Sequence, residues 1–299
     1  MRTIQLLTLW IRKTKNIYTN FFFLTWISSQ LLVTTLYAKD SSLLIYADYL
    51  FNKGEYYRAI SEYQRYLFFD ADCITDSIYA ITQITKCLYF GKDYESVISY
   101  VKQIISDNPK EKVLIENLNR YAGLSYLKLG YPKSAITFFE QNVNEPKSEL
   151  LIGFSYLCLY EWDLAQKKFE SLIHHKDSEI STIAKELTSI AKRGANFSEK
   201  KPVIAGILSA FIPGSGYVYT GYYQTAFSSF ILNLLLLGSS YELQKNGLRF
   251  TGITTFLVSF GWYLGNIYGS ITSAIRYNNL NKKKFVDESL KIYMRFVEK

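Results

Sequence analysis

Few residues in this chain have the chemistry for catalysis or metal binding, and their spacing suits neither. His174 and His175 are its two histidines. Neighbours on a helix point about 100° apart, so this pair cannot converge on one metal and is expected to be solvated at a helix end. The 26 Asp and Glu residues are scattered without a catalytic constellation. No Gly-x-Ser-x-Gly, phosphate-binding loop or HExxH occurs. Cys73, Cys87 and Cys158 form no CxxC or Cys/His metal spacing, and an odd number cannot all pair within one chain. They read as small buried apolar residues. A Cys73–Cys87 bridge is the alternative if their domain is extracytoplasmic. The chain is therefore not expected to be an enzyme or to need a cofactor or metal.

The elements around these residues are more informative. The 299 residues allow about two domains. Only five are Pro, against 26 Tyr and 20 Phe, which favours long helices over turn-rich sheet. The net charge is +8, with basic residues gathered at the N-terminus, around the most apolar stretch, and at Lys282, Lys283 and Lys284. Such clusters face anionic lipid headgroups more often than nucleic acid, and no nucleic-acid partner is expected.

Residues 1–38 read as a signal peptide or an N-terminal anchor. Residues 1–20 carry Arg2, Arg12, Lys13 and Lys15 and no acid; residues 21–38 are apolar; Lys39 and Asp40 restore polarity after Ala38. In both readings the following domain is exported.

Residues 39–195 repeat. Small or modest residues at Ala47, Ile84, Gly123 and Gly153 are followed by turn positions at Gly54, Gly91, Gly130 and Tyr160, which lie 37, 39 and 30 residues apart. Then come Ala59, Ser96, Ala135 and Ala165, and the aromatics Tyr63, Tyr100, Phe139 and Phe169. Small residues let paired helices approach, Gly closes the first helix, and aromatics fill the groove. The pattern resembles the tetratricopeptide repeat, with about four degenerate units. That resemblance implies a helical solenoid whose first helices bind peptides or proteins. Here those helices offer Tyr49, Asn52, Tyr126, Lys128 and Tyr156 as the partner-binding set; packing between helices is the plainer role for the tyrosines. Residues 178–192 read as a closing helix.

Residues 196–278 read as a membrane domain. Two apolar runs, about 222–241 and 251–274, are each long enough to cross a hydrocarbon layer and carry no charge. Without an ionisable residue inside them, proton relay or ion-coupled transport lacks its usual machinery. Before them, Pro213, Gly214, Gly216, Tyr219 and Gly221 predict a broken or re-entrant entry segment. This motif resembles a family of small bacterial two-helix membrane domains with a proline-glycine-x-glycine-x-x-tyrosine entry, which implies membrane integration. Gly261, Gly265, Gly269 and Ser273 form a ridge that allows close packing against the first run or a second copy of the chain. Antiparallel pairing within the chain would set Asn266 near Gln224 and Ser228, and Asn233 near Ser259. Residues 279–299 read as a basic amphipathic tail lying on the membrane or the repeats, with Val286, Leu290, Tyr293 and Val297 on one stripe.

The expectation is an all-α protein: a helical repeat solenoid followed by a transmembrane helical hairpin. Its expected place is a bacterial inner membrane with the repeats periplasmic. Its expected work is that of a tethered scaffold, with a protein partner on the repeats and lipid around the hairpin. An oligomeric assembly or passage component, or an accessory factor for protein insertion or transport, is the alternative.

Overall fold

A computed structural model describes residues 42–69, 73–108, 110–142 and 145–297. The segment read as a signal or anchor lies outside them. The fold is all-α, and no strand occurs among the described residues. The chain forms two compact units that meet near residue 143. The first holds α1 (42–52), α2 (Tyr56–Phe69), α3 (Ile74–Phe90), α4 (Tyr94–Asp107), α5 (Lys112–Lys128) and α6 (Pro132–Phe139). The second holds α7 (Pro146–Cys158), α8 (Trp162–Glu170), α9 (Ser178–Ala195), α10 (Pro202–Phe211), α11 (Ser215–Tyr219), α12 (Tyr223–Lys245) and α13 (Arg249–Val297).

Four helix pairs, α1–α2, α3–α4, α5–α6 and α7–α8, share one turn. In each, a single residue adopts positive φ: Gly54 (77°), Lys92 (63°), Gly130 (82°) and Tyr160 (61°). Its N–H bonds the carbonyl three residues back, and the next N–H bonds the carbonyl five back, as in Glu55 to Leu50, Asp93 to Leu88, Tyr131 to Tyr126 and Glu161 to Tyr156. This is the Schellman closure, which satisfies the last carbonyls of the first helix. Each second helix then starts two residues after the left-handed position.

This geometry moves the turn of the second pair by one residue. Gly91 is right-handed (φ −69°), and Lys92 takes the left-handed position. The first three turn residues are therefore evenly spaced, 38 residues apart. The equivalents of Ala47, Ala59 and Tyr63 are Thr85, Val97 and Val101, all fully buried, in place of Ile84, Ser96 and Tyr100. A medium-sized Thr and Val substitute for the usual small residue and aromatic ring, which blurs the sequence pattern.

Where the pattern is clear, its physics is steric. A Cβ on Gly123 would sit 2.3 Å from the Phe139 ring, and one on Gly153 would sit 2.4 Å from Phe169. Ala47 and Tyr63 are both fully buried in the core of the first pair, with Leu50, Ala59 and Tyr66. In the second unit, α9 begins at an Asp177 cap whose carboxylate accepts from the Glu179 and Ile180 N–H groups. It buries Ile180, Ala184, Leu187 and Ile190 against α7 and α8. Gly194 lets α9 reach the Trp162 ring.

The tail is no separate element. It continues α13, a helix of 49 residues and about 72 Å. Ile292 joins the core built by α7–α9, and Tyr293 stacks on Phe154 with ring centres 4.3 Å apart. Arg193–Glu288 (2.6 Å) and Arg295–Glu186 (3.0 Å) flank the contact. The inward stripe is Ser289, Ile292 and Tyr293, with Phe285 partly buried beside them; Leu290 is exposed.

A non-glycine residue in the left-handed region costs about 1 kcal/mol relative to Gly. Lys92→Gly is accordingly expected to stabilise the detergent-solubilised full chain by about that amount. Gly123→Val, which drives a side chain into Phe139, should destabilise it by about 1–3 kcal/mol. Thermal unfolding followed by circular dichroism measures both; a lower midpoint for Lys92→Gly would contradict the assignment of the cap.

Candidate functional site: a bundle with a polar seam and an apolar coat

Helices α10–α13 form a bundle whose polarity is inverted relative to a water-soluble protein. α12 buries Ala226, Asn233 and Ser240, spaced by seven. α13 buries Gly252, Ser259, Asn266 and Ser273, with the same spacing. Ser240 Oγ donates to the Gly252 carbonyl at 3.0 Å and sets an antiparallel register. Seven-residue steps along each helix then bring Asn233 level with Ser259 and Ala226 level with Asn266. The outer faces carry large apolar side chains: Phe227, Leu234, Leu235 and Tyr241 on α12, and Phe250, Leu257, Val258 and Trp262 on α13, all at least half exposed. Val203 and Phe211 of α10 are likewise exposed. Among the described residues, α12 alone is both long and apolar enough to cross a hydrocarbon layer, with mean hydropathy 1.3. The run 251–274 is the leading part of α13; its hydropathy is lowered by the Thr, Ser and Asn residues it carries.

The seam and the glycine ridge follow different paths along α13 and meet at Ser273. Four residues turn a helix by about 400° and seven by about 700°, so a four-residue stripe winds away from a contact that a seven-residue seam follows. A Cβ on Gly261 or Gly265 would meet nothing within 4 Å. Gly269 does touch a neighbour, Tyr217, and the Ser273 Oγ lies 2.8 Å from Thr220 Oγ1. The ridge therefore serves α11 at one end and is open at the other.

The entry motif is a close-packed knot. α10 runs antiparallel to α13: the Asn278 amide bonds both the N–H and the carbonyl of Lys200, each at 2.8 Å. Gly206 lies against Ile271, Ser209 Oγ is 2.6 Å from Ser270 Oγ, and Tyr263 Oη donates to the Ala210 carbonyl. The chain then reverses at Pro213–Gly214. Gly214 has φ +90° and lies on the Ala226 carbonyl, where a Cβ would come within 2.3 Å. At Gly216 a Cβ would lie 2.0 Å from the Ala205 carbonyl, and the Gly216 N–H donates to Ser209 Oγ at 3.0 Å. Tyr219 closes the loop: its Oη accepts from the Lys201 N–H (3.1 Å), and Lys200 Nζ stands 4.7 Å above its ring. Gly221, with φ +84°, turns the chain into α12. The excursion from Lys200 to Thr220 thus enters and leaves on the same side.

The residues expected to bind a partner divide between the two units. In the first unit, Tyr49 is half exposed beneath Lys53 Nζ (4.8 Å), and Asn52 is exposed. Tyr126 is half-buried, 5.3 Å from the Phe138 ring and 5.9 Å from Lys102 Nζ, while Lys128 is exposed. In the second unit, Tyr156 lines a groove of about 620 Å³ with Glu149, Leu164, Lys167 and Lys168. Lys168 bonds Glu149 at 2.8 Å.

Asp48 escaped the sequence reading. It accepts from Tyr63 Oη (2.5 Å) and Tyr79 Oη (2.8 Å), and Gln83 Nε2 donates to Tyr79 Oη (2.7 Å). Burial, then the bond to Asp48, pushes the Tyr63 phenol far up. Burial also lowers Lys86, helped by the charge of Arg120. An acid beside the small residue Ala47, on a face that meets other helices, was the available signal. His175 Nδ1 accepts from the Asp177 N–H (3.1 Å). The three thiols are free, and among the described residues no three His, Cys, Asp or Glu side chains gather to hold a metal ion. Burial raises Cys87 and Cys158 to about 12.

No protein-family model matches the chain, and no curated protein matches it.

The knot and the ridge make opposite predictions. Gly216→Val is expected to disrupt the bundle, because the new side chain meets backbone. Gly265→Val should leave a single chain's fold intact. Limited proteolysis of the full chain in detergent separates them, and equal sensitivity would refute this reading of the entry motif.

Proposed function

We propose that this protein is a membrane-anchored scaffold: a tetratricopeptide-like array fixed to a bilayer by a helical hairpin with a re-entrant entry segment. The observation that carries the reading is the polarity of the α12–α13 pair. In water a helix pair gains stability by burying its apolar stripe. This pair buries Ala, Gly, Ser and Asn and exposes Phe, Leu and Trp. In lipid the arrangement is sensible, because small residues allow close backbone contact and polar ones bond across helices. Arg249 and Arg276 bracket the uncharged stretch of α13 and stand about 40 Å apart. A hydrocarbon core of about 30 Å would leave both in the headgroup layers. The repeated Schellman turns and the ring-over-glycine contacts at Gly123 and Gly153 support tetratricopeptide-like packing. The half-exposed tyrosines and the Tyr156 groove are the surfaces such an array would offer a protein partner.

The Lys200–Asn278 bonds and the packing of the tail on α7–α9 support a reading in which helices α7–α9 and the tail share one side of the bilayer. The N-terminal signal pattern favours the periplasm of a bacterial inner membrane for that side. A second reading follows from charge: Lys200, Lys201, Arg276 and Lys282–Lys284 gather at this end, against Glu242, Lys245 and Arg249 at the other. The positive-inside rule would make it cytoplasmic. The open Gly261–Gly265 face also suits a second copy, as an oligomeric assembly component would need.

The test is extraction and protease protection of the full chain. It is expected to stay in the membrane through alkaline carbonate. Its repeats should be cut only when the outer barrier is opened. Release by carbonate would end the membrane reading, and cutting only in inverted vesicles would replace the periplasmic placement with the cytoplasmic one.

A further inference from the structure

The turn of the last helix pair stands beside α13 where the apolar coat ends, and a cleft of about 490 Å³ opens between them. Tyr160 forms one wall; Thr272, Ile275, Arg276, Asn279, Leu280 and Lys283 form the other. Spacings of three and four place Leu264, Tyr268, Thr272, Ile275, Asn279 and Lys283 along one face of α13. That face changes from apolar to polar and then to basic. Leu264, Tyr268 and Ile275 are exposed, so apolar side chains lead along this face to the cleft, with Thr272 between the last two.

The cations here differ from their neighbours. Lys282 bonds Glu199 (2.6 Å) and stands over the Tyr160 ring (5.6 Å), while Arg193 pairs with Glu288 and Lys192 with Glu170. Arg276 and Lys283 are exposed and have no acidic partner among the described residues. A planar guanidinium and an ammonium converging on one cleft, with an amide between them, match a phosphodiester in charge and hydrogen bonding.

We propose that this cleft binds the headgroup of an anionic phospholipid, with Arg276 and Lys283 on the phosphate, Asn279 donating beside them, and Ile275 and Leu280 against the glycerol and upper acyl chain. The proposal rests on the membrane reading above, which places Arg276 in the headgroup layer. The exposed apolar side chains on this face favour a lipid over a soluble phosphate, since a free anion makes no use of Leu264, Tyr268 and Ile275. The lipid would bridge the Tyr160 turn and α13, and so hold the end of the array against the bilayer.

The experiment uses the full chain, purified from nanodiscs of phosphatidylcholine containing a minor share of phosphatidylglycerol, with retained lipid counted by native mass spectrometry. An exposed ion pair with the bound phosphate contributes up to about fivefold in affinity, so Arg276→Gln with Lys283→Gln should weaken phosphatidylglycerol retention by up to about 30-fold. Lys245→Gln, at the opposite end of the bundle, should leave retention unchanged. Both residues are exposed, and unchanged circular dichroism would verify the fold; if the double variant misfolds, the Lys283→Gln single variant should still show its share of that loss. Undiminished retention in a folded variant overturns the site while leaving the membrane reading intact. Displacement of the lipid by inorganic phosphate as readily as by phosphatidylglycerol overturns the assignment to lipid. Release of the wild-type chain by carbonate removes both the membrane reading and this site.

Discussion

The second unit depends on a contact made by very small side chains. Ser240 reaches the Gly252 carbonyl because neither helix presents bulk at that level. Repeated every seven residues, the same economy of size lets α12 and α13 run side by side over their shared length. A larger residue on the seam would separate the backbones and break the serine bond with them. Ser209, Ser270, Thr220 and Ser273 extend the same chemistry to α10 and α11. The interior is thus held by close contact and short polar bonds, and the large apolar side chains face outward. Asn266, nearly fully buried on this seam, is a residue of the kind that fixes register in helix pairs.

Much of the helical architecture was legible because it is periodic. The turns at Gly54 and Gly130 stood out because glycine is the cheapest residue at positive φ. The Lys92 turn did not, because an adjacent Gly91 drew the marker one residue early while the chain accepted the strain on a lysine. The tail shows another limit. An amphipathic stripe says that a helix packs, but its phase decides which residues face inward; Ile292 and Phe285, rather than Leu290, meet the helices α7–α9.

The candidate site was less legible, for a related reason. A glycine every fourth residue is conspicuous in a sequence, whereas a seam of Gly252, Ser259, Asn266 and Ser273 mixes three residue types and hides among other serines and threonines. Helical phase separates the two, and only the positions of the neighbouring helices reveal it. The Asp48 network was hidden because it joins α1, α2 and α3, residues distant in sequence whose polar ends meet only after the helices have packed. The groove beside Tyr156 likewise takes its cations from α8 and its floor from both helices.

α13 has no hinge. One unbroken helix begins at Arg249, passes the bundle, and ends among the side chains of α7–α9. A flexible linker would fix only a maximum distance between the bundle and helices α7–α9; a rigid shaft also fixes height and azimuth. From Arg276 to Ile292 the shaft rises about 24 Å, and each residue added or removed would turn its upper end by about 100°. Phe285, Ile292 and Tyr293 would then face away from their socket. Helices α7–α9 are therefore indexed to the bundle like a key to a lock, and a twist imposed on one reaches the other without slack.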